Sequence, residues 1–364
     1  MDILFLGIVV FLFLLAVVDL SVGVSNDAVN FLSSAVGSRA ASFKRIVLVA
    51  AIGVFIGAAM SNGMMDIARH GIFRPENLSF YDVIVIFMAV MVTDVILLDV
   101  FNSLGMPTST TVSMVFELLG ATFVVALFKT AAPESTLSMG DLLNTEKALS
   151  VILGIFLSVA IAVVFGTLVQ FLTRLVFTFE YKSKLKWKVG LFGGIACTAI
   201  IYFMLIKGVK DMTFMTPDLK EWIHTHTALI LGGCFVVFTI LMQLLHWMKV
   251  NVFKVVVLLG TFSLAMAFAG NDLVNFIGVP LTSLASYQDY MASGGGNPHG
   301  FLMDSLNGSA NTPFYFLIGA GMIMVVSLAT SRKVGQVVCH AAVYNVIGRS
   351  VLRFEVLSYH PVRR

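Results

Sequence analysis

Residues 3–18 read ILFLGIVVFLFLLAVV, a run without a single charged or hydrogen-bonding side chain. A helix needs about 20 apolar residues to cross the hydrocarbon core of a bilayer. Similar runs recur along the chain, and only 12% of its 364 residues are charged, against about 25% in a soluble domain. The runs lack the alternation of barrel strands, and lipid cannot satisfy backbone N–H and C=O groups. They therefore predict an all-α, polytopic protein embedded in the lipid bilayer.

The apolar runs and the charges between them also predict a topology. We place nine spans at residues 3–20, 46–60, 82–101, 112–128, 149–177, 190–206, 227–248, 254–269 and 313–330. Strongly basic loops alternate with acidic or mixed ones, and the positive-inside rule makes the basic loops cytoplasmic. The basic loop residues are Arg39, Lys44, Arg45, Lys182, Lys184, Lys186, Lys188, Lys249, Lys254, Arg332 and Lys333. We expect a multi-pass protein of the inner (plasma) membrane with its N-terminus outside.

A hexapeptide occurs twice in the chain. Residues 26–31 read NDAVNF and residues 271–276 read NDLVNF, so that five of the six positions are identical. Each copy ends an apolar run, and the alternating topology gives the two copies opposite orientations. Inverted repeats with broken helices at the substrate site are typical of secondary transporters. We divide the chain into a first inverted repeat at 1–130, connecting helices with a basic cytoplasmic loop at 131–250, a partial second repeat at 251–337, and an atypical tail at 338–364.

The polar residues of the two hexapeptides are candidates for a shared binding site. A polar side chain at membrane depth is costly unless it faces a cavity or a partner. Gly23, Ser25 and Gly270 form helix poorly, so we expect broken helices there, with backbone amides free to bind an anion. The candidates are Ser25, Asn26, Asp27, Asn30, Asn271, Asp272 and Asn275, and Asp27 and Asp272 are also the candidates for binding sodium. The alternative is that these side chains only hydrogen-bond the helices to each other.

A second polar cluster, GMPTSTT at residues 105–111, lies between the third and fourth spans. Gly and Pro break the helix there, and neutral hydroxyl donors can hold phosphate or sulfate and still release it. The candidate donors are Thr108, Ser109, Thr110 and Thr111. The alternative is a simple helix N-cap, for which Ser and Thr are common.

Further acidic residues lie in or near the spans. A carboxyl group in surroundings of low dielectric constant disfavours its charged form, so such a residue is a candidate for carrying a coupling proton or for coordinating a cation. These residues are Asp19, Asp94, Asp99 and Glu117. Hydrogen bonding between helices is the alternative explanation.

With these motifs the chain resembles the inorganic phosphate transporter family, the sodium- or proton-coupled symporters whose inverted halves carry Gly-Ala-Asn-Asp-x-Ala-Asn. The matching positions read VSNDAVN at 24–30 and AGNDLVN at 269–275, and PTSTT at 107–111 matches the family's Pro-x-Ser-Thr-Thr segment. The resemblance covers roughly residues 1–335. It implies alternating access, a phosphate and cation site lined by both Asp residues and the hydroxyls, and a homodimer.

The sequence departs from the family pattern in two places. The His that commonly follows the hydroxyl segment is Val112 here. A second hydroxyl segment is expected near position 352, where residues 350–355 read SVLRFE. We therefore expect an incomplete second half, as in a truncated or frame-altered version of a longer transporter.

We interpret the chain as a secondary active transporter that imports inorganic phosphate together with sodium ions or protons. A transporter of sulfate or another oxyanion is one alternative, and a truncated, non-transporting binding or regulatory protein is another. No nucleophile with its base, no His-rich metal motif and no cofactor fingerprint occurs in the sequence, so we expect neither an enzyme nor a cofactor. The net charge of only +3, with basic residues in short loops, argues against a nucleic-acid partner.

Overall fold

The computed structural model describes residues 2–61, 69, 71–132, 136–177, 187–204, 216–308, 312–331, 334, 335 and 338. Its α-helices are α1 (Asp2–Gly37), α2 (Phe43–Met60), α3 (Phe80–Leu104), α4 (Thr110–Thr130), α5 (Met139–Leu142), α6 (Thr145–Phe177), α7 (Lys188–Phe203), α8 (Pro217–Thr225), α9 (Thr227–Trp247), α10 (Val252–Ala292) and α11 (Phe314–Thr330). Short 3₁₀ helices form at Pro75–Asn77 and Asp304–Asn307. Within these described ranges, β pairing is limited to two isolated bridges.

In the part of the chain that the structure describes, seven helices are long and apolar enough to cross a membrane, and α7 and α11 are shorter apolar helices. These nine helices coincide one by one with the nine spans expected from the sequence. The predicted all-α, multi-pass membrane architecture is therefore confirmed. The inverted relation between the halves and the four-part division of the chain stay predictions. Lys182, Lys184, Lys186, Arg332, Lys333 and the tail after Val338 lie outside the described residues.

Two helices differ from the expectation. Helix α1 has 36 residues and α10 has 41, and each runs through its hexapeptide as a single helix. The prediction of broken helices at the two motifs is therefore wrong. The physical reason is that polar side chains from neighbouring helices form hydrogen bonds with several of the motif residues. The helix backbone therefore need not unwind to provide these hydrogen bonds.

The glycines next to the hexapeptides permit close packing instead of unwinding. A Cβ atom on Gly23 would lie 2.2 Å from the ring of Phe276, which belongs to the second hexapeptide. The carbonyl oxygen of Gly270 accepts a hydrogen bond from the Ser61 hydroxyl at 2.7 Å. Gly23 thus allows α1 and α10 to approach each other at the motifs.

Helix α10 is the centre of the packing and contacts α1, α2, α3, α4 and α11. It meets α2 along Gly53 and Gly57, which form a Gly-x-x-x-Gly motif, an arrangement that brings membrane helices close together. A Cβ atom on Gly57 would lie 2.1 Å from the carbonyl oxygen of Met266. Helix α1 also packs on α3, and α3 packs on α4. The two hexapeptides and the hydroxyl segment are therefore held in one group of helices.

The remaining spans lie at the periphery of this group. Helices α7 and α9 pack mainly on each other, and α7 also contacts α10. Only 6% of the most apolar window of α6, and likewise of α9, is buried. These two helices present apolar surface of the kind that lipid covers, and they contribute no residue to the candidate site.

Candidate functional site

The connection between α3 and α4 places the hydroxyl segment. Gly105 ends α3 with φ 68°, in the left-handed region that favours glycine. The Met106 N–H then donates to the Phe101 carbonyl at 2.9 Å, and Pro107 cannot continue a helix. Ser109 is the N-cap of α4, and its hydroxyl accepts a hydrogen bond from the Val112 N–H at 3.4 Å. The N-cap explanation thus holds for Ser109, which is exposed.

The first hexapeptide fixes one end of this segment through Asn26, which is fully buried. Its amide nitrogen donates to Asn102 Oδ1 at 2.8 Å and to the Met106 carbonyl at 3.2 Å. Its Oδ1 accepts from the Thr108 N–H at 2.8 Å. Asn102 in turn donates to the Val22 carbonyl at 2.7 Å. Both amide hydrogens and the oxygen of Asn26 are engaged, so Asn26 positions the segment on α1.

The second hexapeptide holds the other end of the segment. Asn275 Nδ2 donates to Thr111 Oγ1 at 3.0 Å, with longer contacts of 3.4 Å to Thr110 Oγ1 and 3.5 Å to Asp272 Oδ1. Thr111 Oγ1 lies 3.5 Å from Asp272 Oδ1. Thr110, Asp272 and Asn275 are buried. The start of α4 therefore contacts both hexapeptides, which the sequence places far apart.

Two buried carboxyl groups lie in this region. Asp27 is 4% exposed and Asp272 is 8% exposed, and each interacts electrostatically with the other. Asp27 Oδ2 is buried and has no hydrogen-bond partner among the described residues. Within the same residues, neither carboxyl forms an ion pair with Lys, Arg or His. Two negative charges buried in this environment are costly. Either one of the two carboxyls binds a proton, or a bound cation compensates the charge.

The remaining predicted site residues of the hexapeptides are placed differently. Asn30 and Asn271 are exposed, and their side chains form no hydrogen bond to the part of the chain that the structure describes. Ser25 is buried, and its hydroxyl contacts the Ser21 carbonyl at 2.9 Å and Ser331 Oγ at 3.2 Å. The end of α11 thus reaches α1 at the residue just before the first hexapeptide. Ligand binding by these residues stays a prediction.

The other acidic candidates divide into two groups. Asp94 and Glu117 lie on either side of the Ser113 hydroxyl, at 2.6 and 2.7 Å, and are separate from the hydroxyl segment. Asp99 is exposed on α3. The sequence interpretation missed Asn102, which bonds Asn26 directly. Its signal was a lone Asn at the end of an apolar run, which is too common a pattern to identify a contact.

The sequence of the chain matches a protein-family model and the sequences of known proteins. A family model described as "Phosphate transporter family" matches residues 23–349. A protein named "Putative phosphate permease" from Pyrococcus horikoshii is 28% identical over 268 residues, which is 70% of this chain and 61% of that protein. One of the same name from Thermococcus kodakarensis is 30% identical over 156 residues, covering 42% of this chain and 36% of that protein.

A solved structure has the same fold. The structure titled "The sodium-dependent phosphate transporter" matches with a TM-score of 0.66 at 20% identity, over 92% of this chain and 78% of that one. At this identity the likeness concerns the fold alone. The chain spans 61% of the length of the curated Pyrococcus horikoshii relative.

Proposed function

Because the chain belongs to the phosphate transporter family, we propose that it carries inorganic phosphate across the membrane together with a cation. The relatives named as phosphate permeases and the fold shared with a sodium-dependent phosphate transporter support this proposal. The family assignment also points to a transporter and away from an enzyme. The proposal requires no cofactor besides the coupling ion.

The observation that carries the proposal is the position of the start of α4 between the two hexapeptides. Thr108 is bonded to Asn26, and Thr111 is bonded to Asn275. The first N–H groups of a helix have no partner within the helix and favour negative charge. Together with the hydroxyls of Thr110 and Thr111, they form a set of neutral donors suited to phosphate. Neutral donors also allow release, which a transporter needs.

The nearby acids give the reason for a cation. Two like charges about 4 Å apart repel by about 4 kcal/mol where the effective dielectric constant is about 20. Phosphate beside ionised Asp27 and Asp272 would meet repulsion of that order. A sodium ion or a proton at the carboxyls removes it, so phosphate and cation bind better together than alone. The free oxygen of Asp27 is a suitable ligand for either. This linkage is the basis of symport.

The transport cycle that we propose is alternating access. The two hexapeptides lie on different helices, and a relative movement of the repeats at residues 1–130 and 251–337 would open the site to each side in turn. Import would run from the outside to the cytoplasm of an inner membrane in which the N-terminus is outside. A homodimer, which the family resemblance implies, is part of the same proposal.

The direct test is uptake of radiolabelled phosphate by proteoliposomes with an imposed sodium or proton gradient. We expect accumulation that requires one of the two gradients and that is absent from protein-free liposomes. Monodisperse, folded protein that takes up no phosphate under either gradient would contradict the proposal and favour a non-transporting binding protein. Excess unlabelled sulfate that competes better than unlabelled phosphate would instead assign another oxyanion as the substrate.

A further inference from the structure

A second acidic cluster lies between α1, α3 and α4, beside the first hexapeptide, where Asp27 is an electrostatic neighbour of Asp19 and Asp94. Asp19 on α1 is eight residues before Asp27, which is about 12 Å along a helix. Asp94 on α3 and Glu117 on α4 flank the Ser113 hydroxyl. Asp19 and Asp94 are 0% and 2% exposed, and Glu117 is half-buried. The proposed phosphate site does not use Asp19, Asp94, Ser113 or Glu117.

The hydrogen-bond geometry of Ser113 indicates a bound proton. Its Oγ is 2.6 Å from Asp94 Oδ1 and 2.7 Å from Glu117 Oε1, both typical O–H···O distances. A Ser hydroxyl has a single hydrogen and can donate to only one of these oxygens. The second short contact needs a hydrogen from a carboxyl group. One of the two acids must therefore be protonated for both contacts to be hydrogen bonds.

Asp19 points to the same conclusion independently. It is fully buried, and no hydroxyl, amide or basic group of the residues that the structure describes donates a hydrogen bond to its carboxyl oxygens. Its side-chain contact is with the Asp94 carboxyl, and such a contact is a hydrogen bond only if one of the two groups carries a proton. Its electrostatic neighbours are Asp94, Glu117 and Asp27. Among the described residues, the groups that act on Asp94 and Glu117 are acidic side chains and Ser113, and the charged groups that act on Asp27 are Asp272 and Asp94. With no basic side chain among these neighbours, the cluster needs a bound positive charge.

A groove reaches this cluster at Ser113 and Glu117. It lies between α3 and α4, has a volume of about 640 Å³, and is lined by Thr108, Ser113 and Glu117 together with apolar side chains. Glu117 is the most exposed acid of the cluster, followed by Asp94 and then Asp19. A proton that enters at Glu117 would pass to progressively more buried carboxyls. Thr108 connects the same groove to the hydroxyl segment.

We propose that Asp94 and Glu117, bridged by Ser113 and backed by Asp19, form a proton-binding site with Glu117 at its entrance. A proton fits better than a metal ion, because the described residues contain no group of three or more acidic, His or Cys side chains arranged to hold one. Proton binding itself does not depend on transport. Its consequence, that uptake responds to pH through this cluster, rests on the proposed function.

The experiment is infrared difference spectroscopy of the full chain in nanodiscs without phosphate, between about pH 6 and pH 9, where ordinary carboxyls remain ionised. We expect a carbonyl band of a protonated carboxylic acid that disappears as the pH rises. Glu117→Gln and Asp94→Asn should each remove this band in a background that carries Asp27→Asn and Asp272→Asn, which excludes the other buried acid pair as its source. Ser113→Ala should shift its frequency, because the hydrogen bond is lost. Asp99→Asn, on the exposed side of α3, is the matched control and should leave the band unchanged.

Several results would overturn the inference. One is the lack of any such band in the wild type. Another is a band that survives both Glu117→Gln and Asp94→Asn in the background that lacks the Asp27 and Asp272 carboxyls. A band that sodium chloride removes at constant pH would assign the site to sodium. Should Asp94→Asn fail to fold, the half-buried Glu117→Gln still decides the matter. An intact band with no phosphate uptake would refute the proposed function alone, whereas uptake without the band would refute only this inference.

Discussion

The side-chain oxygen of Asn26 accepts a hydrogen bond from the backbone N–H of Thr108 at 2.8 Å, and this contact joins the first hexapeptide to the start of α4. Three residues later, Thr111 accepts a hydrogen bond from Asn275 of the second hexapeptide at 3.0 Å. One short segment thus connects both copies of the repeated motif. The properties of the site should therefore depend on residues of both motifs and of the segment together.

Replacing Asn26 with Ala should destabilise the protein as well as reduce uptake. The change removes two donors and one acceptor and leaves the Thr108 N–H and the Asn102 side chain without these partners in a buried position. An unsatisfied buried group costs about 1–3 kcal/mol. Thermal unfolding of the detergent-purified variant measures the loss. Asn307→Ala, at an exposed position at the end of the 3₁₀ helix Asp304–Asn307, is the control and should unfold like the wild type. Equal stability of both variants would contradict the role assigned to Asn26.

Hydropathy and charge were sufficient to predict the nine apolar helices. Each span must form its own backbone hydrogen bonds in lipid, so the signal for each helix lies within its own residues. The continuation of α1 and α10 through the hexapeptides was not predictable in the same way. It depends on Asn102, Ser61 and the start of α4, which come from distant parts of the chain and satisfy polar groups there. Sequence spacing does not reveal such partners.

The contacts within the candidate site could be predicted from the sequence only in part, and ligand binding by its residues stays a prediction. The sequence indicated that the hydroxyl segment and the two hexapeptides belong together, and their contacts agree with this. The two hexapeptides are nearly identical, but their Asn residues differ in burial. Asn26 and Asn275 are buried, whereas Asn30 and Asn271 are exposed. Identical motifs in different packing surroundings cannot be distinguished from sequence alone.

Asp27→Asn and Asp272→Asn should each lower cation-driven phosphate uptake at least about tenfold. The carboxamide keeps the shape of the side chain but removes the charge that would bind the cation. At short range this interaction is worth about 4 kcal/mol where the effective dielectric constant is about 20. A loss of about 1.4 kcal/mol already corresponds to a factor of ten. Uptake per reconstituted protein is the measurement, with the monodispersity of each purified variant checked by gel filtration. Wild-type uptake in both variants would exclude these carboxyls from the site.

Gly57→Ala should separate α2 from α10. The added methyl group would lie 2.1 Å from the Met266 carbonyl oxygen, and this backbone atom cannot move without moving the helix. Overpacking of this kind costs about 1–3 kcal/mol. The unfolding temperature of the purified protein should fall. Gly7→Ala in α1 has no atom within 4 Å and should leave that temperature unchanged. An unchanged unfolding temperature in Gly57→Ala would show that α2 and α10 are not packed this closely.

A disulfide between positions 25 and 331 should form and should arrest transport. Ser25 Oγ and Ser331 Oγ are 3.2 Å apart, at the contact of α11 with the first hexapeptide. In a background with the native cysteines replaced by Ala, Ser25→Cys combined with Ser331→Cys should lose uptake on oxidation and regain it with reductant. Each single cysteine variant controls for the substitution itself. Uptake unaffected by a fully formed crosslink would mean that transport needs no movement between these two positions.

The measurement that tests the central claim most directly is phosphate binding by the purified chain, titrated calorimetrically at several sodium concentrations and several pH values. If one site binds phosphate and cation together, the phosphate affinity rises with one of the two cations, and phosphate raises the affinity for that cation by the same factor. Thr111→Val, which removes the hydroxyl between Asp272 and Asn275, should abolish this linkage. Phosphate affinity that is independent of both cations, or that is unchanged in Thr111→Val, would contradict the account.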